Sequence, residues 1–345
     1  MHRATEQPSN RATDPPIQGK GAMKSGGFGL GIDVGGTNLK FCLAGEDGTI
    51  CLRHRITTPT GRGCHGIIEA IVANILVVLR NANVTMSQIE SIGLGIPGTV
   101  DPHEGVIVFA PNIFAVNVEI VRMIKLHYDV PVYLCQDSQA AAWAEYMVGA
   151  GRGLSSVAAV TLGTGIGCGL VIDGKILRGG LRHTAGELGH LLVEIEGNEC
   201  NCGRVGCLEA HAAGLAIVRA AKQSIPTLGE LLGRSVETVS VKDVFDLAGR
   251  GNKEALRITR DVVKYIGIGL VSLVNLVSPS VISISGGICD APSELLFDPL
   301  VAFVRERAYP TISDAVRICR SPLGSDAPLI GVAILHRQAA AHSMT

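Results

Sequence analysis

An excess of charge of either sign is missing from this chain: 30 basic residues stand against 31 acidic ones over 345 positions, a formal net charge of -1. That balance removes the electrostatic motive for binding nucleic acid or an anionic membrane surface and points to small-molecule work. An apolar N-terminal core of the signal-peptide kind is missing too. Residues 1–22 are polar, proline-containing and without hydrophobic periodicity, so residues 1–27 are expected as a disordered tail, with Met23 a candidate start. No self-similarity at a period of about 20 to 50 residues marks a solenoid. The glycine turns match neither the P-loop pattern G-x-x-x-x-G-K-[ST] nor the dinucleotide pattern G-x-G-x-x-G followed by a helix. One uncharged stretch, Tyr265–Cys289, is long enough to raise the question of a membrane span. Asn275, Pro279 and five serines suit lipid poorly, and "IGIGLVSLVNLV" followed after Ser278-Pro279 by "SVISIS" reads as a buried helix feeding a buried strand.

The length exceeds what one core usually organises, so two domains of roughly 150 residues each are expected. "FGLGIDV", "LKFCLAG" and "ICLRHRI" predict three β-runs joined by tight turns at "GGTN" and "EDGT". A helix is predicted over Ile67 to Leu79, then strands at "SIGLGIPG" and "VPVYLCQD" and a helix at "SQAAAWAEYMV". "SSVAAVTLGTGIGCGLVIDG" gives two more β-runs across a glycine turn, so the second half repeats the plan of the first. A helix over about 326–341, "DAPLIGVAILHRQAA", is expected to return and pack on the first domain. This places an N-terminal α/β domain at 28–136 and a C-terminal one at 137–325. Asp101, His103 and Asp173 lie in turn-like settings and read as surface or turn residues.

The ten cysteines sit mostly singly inside apolar runs, as Cys42, Cys135, Cys168 and Cys289 do, which suits reduced thiols in a cytoplasmic compartment. The exception is "CNCGRVGC", where Cys200, Cys202 and Cys207 follow shortly after "AGELGH" with His190. Three thiolates and an imidazole complete a tetrahedral zinc shell without an open position, which makes the metal structural. A disulfide is the rival reading, although Cys200 and Cys202 are close for a bridge and pairing either with Cys207 leaves an odd thiol.

Glycine turns carry the other hint. In "GIDVGGTN" a strand delivers Asp33 to its end, and Gly35, Gly36 and Thr37 form a turn whose N–H groups and hydroxyl can reach a phosphate. Thr161, Gly163, Thr164 and Gly165 offer a second such turn, and "SGGICD", with Gly286 and Gly287, a third where a flat base could lie against the backbone. A lone glycine turn is more often structural; two across similar half-chains suit a nucleotide gripped between domains.

On "DVGGTN", "TLGTGIGCG", "SGGI" and "GELGH…CNCGRVGCLE" the chain resembles the ROK family (repressors, open reading frames and kinases) over roughly residues 28–341. The resemblance implies a two-domain actin-like ATPase (ribonuclease H-like) α/β fold with a central cleft, ATP with Mg2+, structural Zn2+, a hexose acceptor and a homodimer. Asp137 in "LCQDSQAAAWAE" resembles the catalytic base, and Asn112, Glu187, His190 and Glu209 resemble the sugar contacts, so that His190 serves metal and sugar together. The family commonly shows Asn-Asp-Ala-Asn where this chain has Gln136-Asp137-Ser138-Gln139. The aspartate survives, while a longer neighbour leaves the acceptor open among glucose, the family's frequent choice, N-acetylmannosamine, N-acetylglucosamine, fructose and allose, with polyphosphate a possible donor. Chemically, a sugar hydroxyl needs a carboxylate to take its proton, and Asp137 at a strand end before a helix is placed for that; helix capping is its other reading. Glu187 and Glu209 flank the expected zinc ligands, which would fix their backbone, and Asp33 is the candidate to orient hydrated magnesium. Residues 1–27 are too few and too polar for the helix-turn-helix domain of the family's repressors, so a kinase is expected over a DNA-binding regulator, a sugar sensor without turnover or a zinc-stabilised scaffold.

Overall fold

The computed structural model describes residues 27–180 and 182–338. Apart from Gly27, the expected tail lies outside the described residues, as do positions 339–341 of the expected terminal helix. Strands β1 (Phe28–Val34), β2 (Asn38–Ala44) and β3 (Ile50–Thr57) form the antiparallel run that the two turns predict. Helix α1 (Gly63–Ala82) is longer than its apolar stretch suggests and leads to β4 (Ile89–Ile96). A small sheet of β5 (Thr99–Asp101), β6 (Val106–Ala110) and β7 (Ala115–Val118), which the sequence did not disclose, and the short helix α2 (Ile120–Lys125) precede β8 (Val132–Gln136). The first large sheet runs β3-β2-β1-β4-β8, with β4 and β8 parallel to β1.

Helix α3 (Asp137–Val148) crosses to the second half, where β9 (Ser156–Leu162), β10 (Ile166–Ile172) and β11 (Lys175–Ile176) form another antiparallel run. Helices α4 (Leu208–Ala212), α5 (Gly214–Ser224), α6 (Leu228–Leu232), α7 (Val241–Gly249) and α8 (Lys253–Val277) follow, then β12 (Val281–Ser285), α9 (Phe297–Arg307), α10 (Pro310–Ser313), β13 (Arg317–Arg320) and α11 (Ala327–Ala333). The second sheet runs β11-β10-β9-β12-β13, the same order and the same senses as the first. The repeated plan read from the sequence is therefore a repeated topology, each sheet with its own buried core.

The stretch that raised the membrane question is split as expected. Helix α8 is capped by Asn252, whose Oδ1 accepts the Ala255 N–H at 3.0 Å, and it ends on Ser278 in the left-handed region ahead of Pro279. The span Thr60–Ala82, which contains α1, is long and apolar enough to cross a membrane, but Ile67, Ile71, Ile75 and Val78 are buried along one face against the first sheet, the burial of a core helix.

Two helices are shared between the halves. Helix α11 lies on β1, β2 and β4 of the first sheet, α3 lies on β9 and β10 of the second, and the two pack on each other. Glycine permits this approach: a Cβ on Gly29 would stand 1.8 Å from the Ala333 carbonyl, on Gly169 2.0 Å from that of Ser138, and on Gly331 1.8 Å from that of Ala140. The terminal helix is interrupted rather than continuous, residues 336–338 being helical again beyond a two-residue turn. It breaks after Ala333, where the Trp143 indole N–H takes the Ile334 carbonyl at 3.1 Å.

Candidate active site

The first glycine turn closes on itself, the Gly35 N–H donating to the Asn38 carbonyl at 3.0 Å. Thr58, 4% exposed at the end of β3, clamps it from outside: its hydroxyl donates to the Gly35 carbonyl at 2.6 Å and its N–H to that of Thr37 at 2.9 Å. Thr37 is exposed and free to meet a ligand. Gly36 leaves room for protein: a Cβ there would sit 3.1 Å from the Asn112 carbonyl. The expected acceptor residue Asn112 is thus seated directly on the expected phosphate turn.

Asp33 and Asp137 end neighbouring parts of the same sheet, one on β1 and the other just past β8. Asp33 Oδ2 accepts a hydrogen bond from Lys40 Nζ at 2.9 Å. Asp137 is the first residue of α3, and its Oδ1 accepts the Ser138 N–H at 2.7 Å. Burial, then the Asp33 charge, push its carboxyl up to about 7, with Glu187 adding to the rise; the Ser138 N–H and Lys40 oppose it. Asp137 is not the cap residue itself: the helix begins on Asp137, and Gln136 stands at the cap without a side-chain bond to the helix.

In the second half Gly163 N–H donates to the Gly165 carbonyl at 2.9 Å, and the Gly163 carbonyl accepts from Gly214 N–H, at the start of α5, at 2.8 Å. Space beside Gly163 is open but for the Gly165 carbonyl at 3.9 Å, and beside Gly287 nothing stands within 4 Å, while Gly286 presses on the Leu162 carbonyl at φ 103°. Gly163 and Gly287 thus leave space that a nucleotide can fill. Gly165 does not: a Cβ there would meet Glu209 Oε2 at 2.4 Å. Glu209 Oε2 accepts the Ile166 N–H at 2.8 Å, so this expected sugar contact spends one oxygen on the second phosphate turn.

His190, Cys200, Cys202 and Cys207 place their ligand atoms within 4.8 Å of one another. The Cys202 and Cys207 sulfurs are 3.7 Å apart, as are Cys200 Sγ and His190 Nδ1. A tetrahedral shell with Zn–S bonds of about 2.3 Å has edges of about 3.8 Å, so the set fits zinc. Those sulfurs are too far apart for a disulfide of about 2.0 Å, and all ten cysteines carry free thiols. Burial and the neighbouring sulfurs push the Cys207 thiol up, and four ligand atoms gathered this closely suit a cation. Gly206, at φ 82°, shapes the knuckle, and its N–H donates to the Asn198 carbonyl at 2.9 Å. With Nδ1 facing the sulfurs, His190 turns Nε2 to Glu187, 3.9 Å from Oε2. Gln136 Nε2 donates to Glu187 Oε1 at 3.1 Å, joining the end of β8 to the metal-bearing segment.

The geometry therefore brings Asp33, Asp137, Glu187 and His190 near one another, sets Asn112 on the first glycine turn and ties Glu209 to the second. Asp101 makes the expected turn, its Oδ1 accepting the His103 and Glu104 N–H groups at 3.0 and 3.1 Å, and Asp173 makes another at φ 48°. Asp101 also stands 3.8 Å from His183 Nε2, across from the second half. Sequence reasoning passed over Lys40 and Thr58; a register pairing Asp33 with Lys40 was the available signal for the first, and none marked the second.

Paired five-stranded sheets of identical strand order, one in each half, define the class of the actin-like ATPase fold. The chain belongs to the ROK family, whose model matches residues 29–339. It is 34% identical over 315 residues to a glucokinase of Thermotoga maritima, covering 90% of this chain and 97% of that enzyme. A ROK family glucokinase from Streptomyces griseus, solved in complex with glucose and AMPPNP, superposes with a TM-score of 0.77 at 33% identity, over 90% of this chain and all of that one. The xylose repressor of Bacillus spizizenii is 27% identical over 311 residues, 90% of this chain and 77% of its own length.

Proposed function

We propose that this protein phosphorylates a hexose from ATP, with glucose the acceptor and Asp137 the general base. The observation that carries the reading is the Asp137 carboxyl, half-buried at the sheet end close to Asp33 and Glu187 and pushed up to about 7. A base of that strength is half ionised near neutral pH and takes a proton from a hydroxyl better than an ordinary aspartate. Both the glucokinase of Thermotoga maritima and the glucose- and AMPPNP-bound structure support sugar and nucleotide as its ligands.

Gly35–Thr37 and Thr161–Gly165 would hold the nucleotide phosphates and Gly286–Gly287 would face the base. ATP with magnesium supplies the phosphoryl group and the charge that offsets it, Asp33 being the residue to orient the hydrated metal. Glu187 and His190 Nε2, with Asn112, bind and orient sugar hydroxyls; Glu209 offers its remaining oxygen. Zinc on His190, Cys200, Cys202 and Cys207 holds His190 and the Glu187 segment in register with Asp137. We read the two halves as domains meeting at Gln136–Asp137, working as a cytoplasmic homodimer. A coupled ADP-release assay over glucose, N-acetylmannosamine, N-acetylglucosamine, fructose and allose, with ATP and polyphosphate as donors, tests the assignment. Glucose with ATP is expected to give the highest kcat/KM, and no turnover on any sugar would overturn it. The repressor relative favours a second reading, a sugar sensor without catalysis, which the same assay separates by binding without turnover.

A further inference from the structure

Two carboxylates, Asp33 and Glu187, stand close enough to Asp137 for their charge to bear on it, where an anionic phosphoryl group would have to pass. Their combined field repels such a group, so the site needs positive charge from the chain as well as from a bound metal. Lys40 is placed to provide it. It is the cross-strand partner of Asp33 in the hairpin that carries the first glycine turn, so both side chains leave the same face of the sheet. Along β2, half-buried Asn38 and Lys40 alternate with buried Leu39 and Phe41, which turns Lys40 outward to the cleft rather than into the core. Its ammonium rests on Asp33 Oδ2 at 2.9 Å, and its side chain keeps 43% exposure while that of Asp33 keeps 13%. A partly exposed pair of this kind contributes little to stability, which leaves the charge itself as what the position supplies.

We propose that Lys40 is a catalytic residue: its ammonium, which rests on Asp33 in this structure, would donate to the oxygens of the transferring phosphoryl group when Asp33 serves hydrated magnesium. The ammonium keeps its three protons throughout; it donates hydrogen bonds, and no proton or bond changes hands at Lys40. The flexible four-carbon stem, anchored beside Gly36 and Thr37, allows the shift without backbone movement. This rests on the kinase reading above.

The test compares Lys40→Met and Lys40→Arg with the parent protein, all zinc-loaded and full length. Measured are kcat with hexose, affinity for Mg2+–ADP by calorimetry, and the tightening of that affinity when fluoroaluminate, a mimic of the phosphoryl group in transit, is added with and without hexose. Lys40→Met is expected to lose about 10²-fold in kcat and a similar factor in fluoroaluminate-dependent tightening, the size found for one lost transition-state donor. Mg2+–ADP affinity should stay within about 3-fold, and Lys40→Arg should recover most of both losses, since a cation is retained. Unchanged tightening in a folded Lys40→Met protein overturns the proposal. So does a loss that falls equally on Mg2+–ADP alone, which would make Lys40 a strap for the turn. If the parent turns over no hexose, the kinase reading fails, and the fluoroaluminate arm without sugar still decides for or against Lys40.

Discussion

At pH 8 the Asp137 side chain is held ionised against burial and against the charge of Asp33. Its folded-state value of about 7 stands above the ordinary 3.8, so the folded protein binds the proton more tightly. The stability this contributes is present below about pH 4 and is lost as pH rises through about 7. Asp137→Asn is therefore expected to melt a few degrees higher than the parent at pH 8 and equally near pH 4, read by calorimetric Tm at both. The same substitution removes the proton acceptor, so kcat should fall about 10²-fold or more while the acid limb of kcat/KM near pH 7 disappears. Near-normal turnover in the folded variant would return Asp137 to a structural role. Lys40 shows what was hidden at this scale: a lysine on a strand reads as solvated surface until its register opposite Asp33 is known.

The glycine turns divide into those that border open space and those packed against protein, a distinction invisible in "DVGGTN" and "TLGTGIGCG". Gly287→Ala and Gly163→Ala should raise the ATP KM by about 10-fold while hexose affinity holds, because a methyl there enters open space next to the nucleotide. Gly165→Ala should lower both affinities, since its methyl strikes Glu209. Titrating each ligand separately by calorimetry distinguishes the two patterns, and equal effects from all three variants would remove the assignment of the turns. Much of the element order was legible: hairpin signals, the break at Ser278-Pro279 and the repeated β-runs all rest on local chemistry that tertiary contacts left standing. The sheet β5-β6-β7 was not, because its strands are three to five residues long and give no alternation to count. The break after α11 was not either, for the Ile334 carbonyl there is held by Trp143, 191 residues away. Within the site, the cysteine knuckle was legible because its ligands lie close in sequence at a metal-type spacing, whereas the Gln136–Glu187 bond joins segments 51 positions apart.

At the scale of the whole molecule the knuckle is proposed as more than a staple, since His190 presents one ring nitrogen to the sulfurs and the other to Glu187. Chelation, or Cys202→Ser, should abolish hexose binding while helix content by circular dichroism and ATP affinity change little, with metal measured on the same samples. A metal-free protein phosphorylating hexose at full rate would refute that role. The exchange of α3 and α11 is equally a property of the whole. Gly331→Ala would press a methyl onto the Ala140 carbonyl and should cost about 2 kcal/mol or more in denaturant titrations. The exchange also sets a schedule for synthesis. Strand β4 is made by residue 96, yet the helix that covers β1 and β4 is complete only at residue 333. At about 5 to 20 residues per second the ribosome needs about 10 to 50 s to close that gap. The nascent first sheet waits through it with its glycine-lined face bare, open to chaperones or to the same face of a neighbouring nascent chain.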